Sequence, residues 1–249
     1  KASIEFPAIR ELLANMKAKL QGSRAMLYET TRFVEIYKDL THISHDRKLT
    51  PEERAEMKAY TRLADAFTPM LKLMSSEYCN SLAYDAIQIF GGSGYMKDYP
   101  IERIYRDARI TNIYEGTSQL QVVAAIRHVT TGTYLAQIKE YEAQTYEQNH
   151  LHEKLVALRE EYEQSVQKVV SAENNEFIDF HARRMVEMAA HIIISYLLMR
   201  QAGEVEDYRN SAELYVKYAE AQNSAAARYI ESSTLADLDL ISAVKEEEL

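Results

Sequence analysis

Glycine is scarce in this chain, and that scarcity limits what the chain can fold into. Its 249 residues include seven glycines and four prolines, where a soluble protein of this length carries about seventeen glycines. Strands need turns, and turns draw on glycine, proline, asparagine and aspartate. Long helices with few connections remain. Four of the seven glycines, Gly91, Gly92, Gly94 and Gly116, fall between positions 91 and 116, so backbone freedom is concentrated in one segment. With 47% hydrophobic and 27% charged residues the chain can bury a core. Collagen-like, disordered and disulfide-rich classes are excluded.

The single Cys79 has no partner for an internal disulfide, which fits a reducing compartment. No stretch reaches the roughly 18 consecutive apolar residues of a membrane span. The densest one, His191 to Met199, stops at Arg200. No signal-peptide pattern opens the chain, and Lys1 in place of methionine reads as a boundary other than a natural start. Residues 1–132 carry 18 Lys and Arg against 16 Asp and Glu, a net of +2, whereas residues 133–249 carry 11 against 22, a net of −11. The second region is therefore a poor partner for nucleic acid.

Helical spacing runs from about Phe6 to Leu40, with Ile9, Leu12, Leu13, Met16, Leu20, Leu27 and Val34 at three- and four-residue steps. A loop is expected over His42 to Leu49. Thr50-Pro51-Glu52-Glu53 has the elements of a capping box and opens a second helix, which runs to about Phe90 with Pro69 as a candidate kink. Gly91-Gly92-Ser93-Gly94 stops it. A shorter helix is expected over Ile101 to Ile110, and another from about Ser118 into the 140s. Gly132 interrupts that last pattern and marks the expected domain boundary, dividing residues 1–132 from 133–249. Further helices are expected at 151–171, 175–201 and 208–231. The middle one is amphipathic, with Phe177, Phe180, Met188, Ile192, Ser195 and Met199 on one side. The acidic tail from Ala236 to Leu249 is expected to fray. Nothing reads as a strand, and the fold class is all-α.

The segment from Gln88 to Gln121 carries the chemistry. It holds two glycine-dependent turns, each followed by a helix start. Free amides at a helix N-terminus, beside a glycine that lets a ligand approach, form an anion site. The same glycines also suit plain helix C-caps. Thr117 and Gln119 add neutral donors, and a nucleotide pyrophosphate is a plausible guest. The Walker lysine and the strand-led Gly-x-Gly-x-x-Gly are both absent. Of the other clusters, Arg103, Arg106, Asp107 and Arg109 read as a structural ion-pair network. His42, His45 and Asp46 have metal-like spacing but a loop setting, so no metal is expected. Cys79 reads as a buried helix residue, and His181 and His191 as partly buried structural histidines.

Together, Gln88-Ile-Phe-Gly-Gly, Pro100-Ile-Glu-Arg-Ile-Tyr-Arg-Asp and Tyr114-Glu-Gly-Thr-Ser-Gln resemble the C-terminal α-domain of the acyl-CoA dehydrogenases in order and spacing. The likeness covers about residues 4–132. Residues 133–249 resemble the extra helical domain of a longer subgroup. The resemblance implies a four-helix bundle followed by a second helical bundle, and α,β-dehydrogenation of an acyl-CoA thioester with FAD as cofactor. Glu115 falls where most members keep the base that removes the α-proton; in others the base comes from a different helix. The Glu115 amide would polarise the thioester carbonyl, and Gly116 would admit the substrate. Tyr114 would line the acyl pocket and Arg127 would stand near the substrate. Thr117 and Gln119 fall on contacts to FAD of the same subunit. Gln88, Gly91 and Gly92 fall on contacts to the FAD of a neighbouring subunit, which implies a homo-oligomer, a dimer or tetramer. An electron-transfer flavoprotein is the implied partner, in the bacterial cytoplasm or the mitochondrial matrix.

A glutamate at a helix start is also stabilised by the helix dipole, and Tyr114 and Arg127 also suit a core and a solvated helix face. The family's N-terminal α-domain, its middle β-domain and a flavin-contacting arginine segment just before Phe6 are not in this sequence. The chain is therefore expected to bind FAD poorly and to be inactive alone. Two alternatives are an acyl-CoA oxidase-like enzyme, against which the Tyr-Glu-Gly-Thr turn argues, and a non-catalytic helical oligomerisation module.

Overall fold

A computed structural model describes residues 3–144, 146 and 149–242. Those residues form an all-α structure without strands. The α-helices are α1 (Pro7–Asp46), α2 (Pro51–Phe90), α3 (Gly92–Tyr95), α4 (Ile101–Ala108), α5 (Ser118–Thr130), α6 (Thr133–Glu142), α7 (Asn149–Ser171), α8 (Asn175–Glu204), α9 (Arg209–Ser232) and α10 (Ala236–Ser242).

The two longest helices, α1 and α2, are 40 residues each, about 60 Å at 1.5 Å per residue, and pack along one another as a hairpin. The start of α2 is fixed locally. Glu53 N–H donates to Thr50 Oγ1 at 3.2 Å, and Thr50 N–H donates to Glu53 Oε2 at 2.8 Å, closing the capping box. The helix runs through Pro69 without a break and ends at Gly91, whose φ of +62° places it in the left-handed region. The expected loop over His42 to Leu49 is wrong for its first half. No glycine or proline stops α1, so it continues to Asp46. Arg47 then turns into extended backbone and pairs with Glu53 at 2.6 Å. His42 and His45 consequently lie on the exposed last turns of α1.

The expected break at Gly132 is present. With φ +72°, Gly132 separates α5 from α6. One buried core nevertheless runs past it, from Met26, Phe33 and Phe67 through Val129 and Tyr134 to Ile193, Leu197 and Val216. The centre of that core is α8. Its sequence suggests one apolar face, but every residue from Met188 to Met199 is buried, because α1, α5, α6, α7 and α9 all pack around it. His181 and His191 are buried with it. Burial pushes both below the usual imidazole range to about 4, so both are neutral near pH 7. Two further expectations fail. Cys79 is exposed, and the tail expected to fray from Ala236 forms α10 as far as Ser242; the rest of it lies outside the described residues.

The crossing of α1 with α8 depends on Gly22. A Cβ there would lie 2.6 Å from Ile194 Cγ2 and 3.5 Å from Leu198 Cδ1, both in fully packed surroundings. Gly203, near the end of α8, faces open space. The same substitution should therefore act in opposite directions. Gly22→Ala gains about 1 kcal/mol of helix propensity but meets an overpacking cost of about 1–3 kcal/mol, for a net loss. Gly203→Ala should gain about 0.5 kcal/mol. Urea midpoints of the two variants against the parent measure both signs.

Candidate active site

Two groups of the singled-out residues stand at different heights along α2. At the lower position, Lys72 and Glu77 face the turn that carries Tyr114, Glu115, Gly116 and Thr117. At the upper end, Gln88, Gly91 and Gly92 sit about 16 Å further on, at eleven residues of helical rise beyond Glu77.

The turn at 113–117 follows from its sequence. Tyr114 N–H donates to Ile110 O at 3.0 Å, ending the 3-10 turn over Arg109–Asn112. Glu115 then adopts φ +53° and Gly116 φ +95°. The second angle suits glycine, and a Cβ on Gly116 would lie 2.8 Å from Gln121 Nε2. The first costs a glutamate about 1–2 kcal/mol. Thr117 caps α5, its Oγ1 accepting from Leu120 N–H at 3.4 Å. The backbone amides of Glu115, Gly116, Thr117, Ser118 and Gln119 donate to no acceptor among the described residues. Five consecutive free amides, leading into and including the first turn of α5, offer donors to an anion or a developing oxyanion.

Beside these amides lies a cleft of about 400 Å³, lined by Arg109, Asn112, Thr117, Gln119, Glu77 and Arg183. Arg183 comes from α8, beyond Gly132. Burial pushes the Glu77 carboxyl up, but the Ser118 hydroxyl, the Arg183 guanidinium and the Asn112 amide outweigh it and hold the group below the usual carboxylate range. Arg109 makes no ion pair among the described residues. Thus the expected ion-pair network of the arginine-rich helix is only partly formed. Arg106 pairs with Glu102 at 3.7 Å and Asp107 at 3.8 Å, and Arg103 and Arg109 stay outside it.

Glu115 and Tyr114 are exposed in this chain. Arg127 is also exposed but stands in the last turn of α5, about 15 Å of helix from Thr117, where it donates to His128 at 3.0 Å. It is not brought to the turn. At the upper end of α2, Gln88 is exposed and borders a second cleft of about 450 Å³ with Tyr84, Ile87, Tyr95 and Tyr105. Gly91 and Gly92 are exposed beside it.

Sequence reasoning missed Lys72, Glu77 and Arg183. Lys72 left one signal, a single charge set among Met70, Leu71, Leu73 and Met74. Its Nζ donates to Gly116 O at 2.6 Å. No group of three or more metal-ligating side chains occurs among the described residues, and none of their helices is long and apolar enough to cross a membrane.

The fold and the turn define a helical module in which open amides and an exposed carboxylate stand beside a cleft. Residues 1–130 match the family model described as acyl-CoA dehydrogenase, C-terminal domain, and residues 130–238 match a second one described as acyl-CoA dehydrogenase C terminal. The chain belongs to the acyl-CoA dehydrogenase family. It is 48% identical over 121 residues to an acyl-CoA dehydrogenase of Bacillus subtilis, covering 49% of this chain and 26% of that protein. It is 33% identical over 117 residues to the caffeyl-CoA reductase-Etf complex subunit CarC of Acetobacterium woodii, covering 47% and 24%. The fold matches the crystal structure of an acyl-CoA dehydrogenase complexed with FAD from Bacillus anthracis, with a TM-score of 0.66 and 19% identity over 96% of this chain and 44% of that one. The chain thus spans about a quarter of the length of the curated relatives it matches.

Proposed function

We propose that this chain is the C-terminal part of a flavin-dependent acyl-CoA dehydrogenase, in which Glu115 removes the α-proton of an acyl-CoA thioester. The observation that carries this reading is the turn itself. A glutamate held at φ +53° beside Gly116 stands next to five unclaimed amides, so a base and an oxyanion-type donor set occupy one short segment. A thioester α-proton is weakly acidic. Removing it needs a base placed against it and a donor on the carbonyl oxygen, where charge accumulates. The Glu115 amide is free to serve as that donor.

FAD, when bound, supplies acceptance of the β-hydrogen as hydride. The residues present fit its phosphates. The Thr117–Gln119 amides are open, the Thr117 hydroxyl keeps its hydrogen while capping α5, and Arg109 and Arg183 line the adjoining cleft. Gln88, Gly91 and Gly92, displaced along α2, suit contact with a second FAD from a neighbouring subunit of a dimer or tetramer. Tyr114 would line the acyl pocket. Arg127 would meet the substrate only at a point remote from the turn. Residues 133–249 form a separate domain by ancestry while sharing the core, and pack on the enzyme or support its assembly. Electrons would pass to an electron-transfer flavoprotein, a partner suggested by the Etf complex of the Acetobacterium relative, in the cytoplasm of a bacterium.

With Glu115 exposed to water in this chain, the chain by itself binds FAD weakly and does not turn over. Two measurements test the reading. Acyl-CoA mixed anaerobically with the flavoprotein that carries this chain should bleach the flavin, and in air the enzyme should release little peroxide. Stoichiometric peroxide would instead indicate an oxidase, and a fully inert flavoprotein a non-catalytic assembly module.

A further inference from the structure

Holding a glutamate in the left-handed region requires surroundings that determine the turn from several sides. Two consecutive residues with positive φ turn the carbonyls of Glu115 and Gly116 toward α2 and α5. There, Gly116 O accepts from Lys72 Nζ at 2.6 Å and from Gln121 Nε2 at 3.3 Å, and Glu115 O accepts from Gln121 Nε2 at 3.2 Å. The flanks of the turn are tied separately. Asn112 Nδ2 and Ser118 Oγ both donate to Glu77 Oε1 at 2.7 Å, and Glu77 Oε2 lies 3.4 Å from Arg183 Nη2. One stretch of α2 therefore grips the segment through Lys72 at its middle and Glu77 at both of its ends, and Asn80 adds a bond to Asn112 and one to Ala108 O at 2.9 Å.

Lys72 is unusual in this arrangement. Its ammonium pairs with no carboxylate among the described residues, and its one hydrogen bond there goes to the Gly116 carbonyl. A half-buried cation committed to a backbone carbonyl fixes a position. The Tyr114 ring, 5.9 Å away, flanks the same ammonium.

We infer that Lys72 is a positioning residue for the acid on this turn: its bond to Gly116 O, backed by the grip of Glu77 and Arg183, sets where Glu115 and the free amides stand. The inference rests on the reading of Glu115 as the base. It also gives residues beyond Gly132 a part in the site, because Arg183, from α8, is tied to the turn through Glu77.

Two measurements separate this role from a general contribution to folding. The first needs no cofactor. A Glu-specific protease acting on the folded chain should cleave after Glu115 about tenfold faster in Lys72→Met than in the parent, as the turn loosens, with cleavage after other glutamates unchanged. Lys72→Arg, which keeps a donor, should restore most of the protection. The second uses the flavoprotein that carries this chain. Lys72→Met should slow flavin reduction at saturating acyl-CoA about 10- to 100-fold with KM little changed, and should raise the primary isotope effect with α-deuterated substrate. Arg183→Gln should act in the same direction and less strongly. Unchanged cleavage after Glu115, a normal reduction rate in Lys72→Met, or failure of Lys72→Arg to rescue overturns the inference. If Glu115→Gln itself stays active, the assignment of the base fails instead, and the protease measurement still judges the clamp.

Discussion

Replacing Glu115 with glutamine in the flavoprotein that carries this chain should slow flavin bleaching by acyl-CoA about 1,000-fold or more. The amide has the shape of the carboxylate but cannot take up a proton, and a positioned base contributes about 10² to 10⁴ in rate. Little else should change. The bonds that hold the turn run through the Glu115 carbonyl, which accepts from Gln121, and through Gly116 O; both survive the substitution. The Glu115 side chain makes no hydrogen bond within the described residues and is exposed, so stability should stay within about 0.5 kcal/mol. Acyl-CoA binding, read from the spectral shift of the oxidised flavin, should be nearly normal. Glu115→Asp keeps a base but withdraws it by one methylene, and should fall between the two, about 100-fold slow. A glutamine variant that bleaches at the parental rate would show that the proton goes elsewhere.

What was legible in the sequence was local. The start of α2 is encoded by Thr50, Pro51 and Glu53, its end by Gly91, and the start of α5 by Thr117; each signal acts over a few residues, and each element begins or ends where the signal lies. The turn that bears Glu115 was legible for the same reason. The far end of α1 was not, because no glycine or proline marks it and the helix runs on to Asp46 before Arg47 turns into extended backbone. For α8, periodicity registered one buried face, whereas neighbours on every side bury it all round. The grip on the turn was equally hidden. Lys72 meets Gly116 across 44 residues, and Arg183 meets Glu77 from beyond the break at Gly132. Such partners are chosen by packing, and no spacing rule announces them.

A second large effect is expected far from the turn, at Glu29. Its carboxylate is 2% exposed and is met by four donors. Tyr141 Oη donates to Oε1 at 2.7 Å, Arg200 Nη2 to Oε2 at 2.8 Å, and Arg32 spans both oxygens at 3.1 and 3.2 Å. The group ties α1 to α6 and α8 and so joins the residues on either side of Gly132. Burial alone would raise its pKa, but the bonds from Arg32, Arg200 and Tyr141 outweigh burial and lower it from 4.5 to about 2. Because the folded value is depressed, the stabilisation is fully present above pH 4.5 and is lost as the pH falls from 4.5 toward 2. A depression of this size corresponds to about 3 kcal/mol, reduced to about 2 kcal/mol by solvent screening of the half-exposed guanidiniums. Glu29→Gln removes the charge and turns an N–H₂ toward guanidinium donors, so it should cost about 3 kcal/mol at pH 7. Urea midpoints followed by helical circular dichroism at pH 7, 5, 4 and 3 decide the cause. The gap between parent and variant should hold from pH 7 to 5 and then narrow, because the carboxyl of the unfolded parent takes up a proton below about pH 4.5 while the folded one stays ionised down to about 2. A gap that stays constant to pH 3 would mean that the site is held by shape and packing, with the ionised carboxylate contributing nothing.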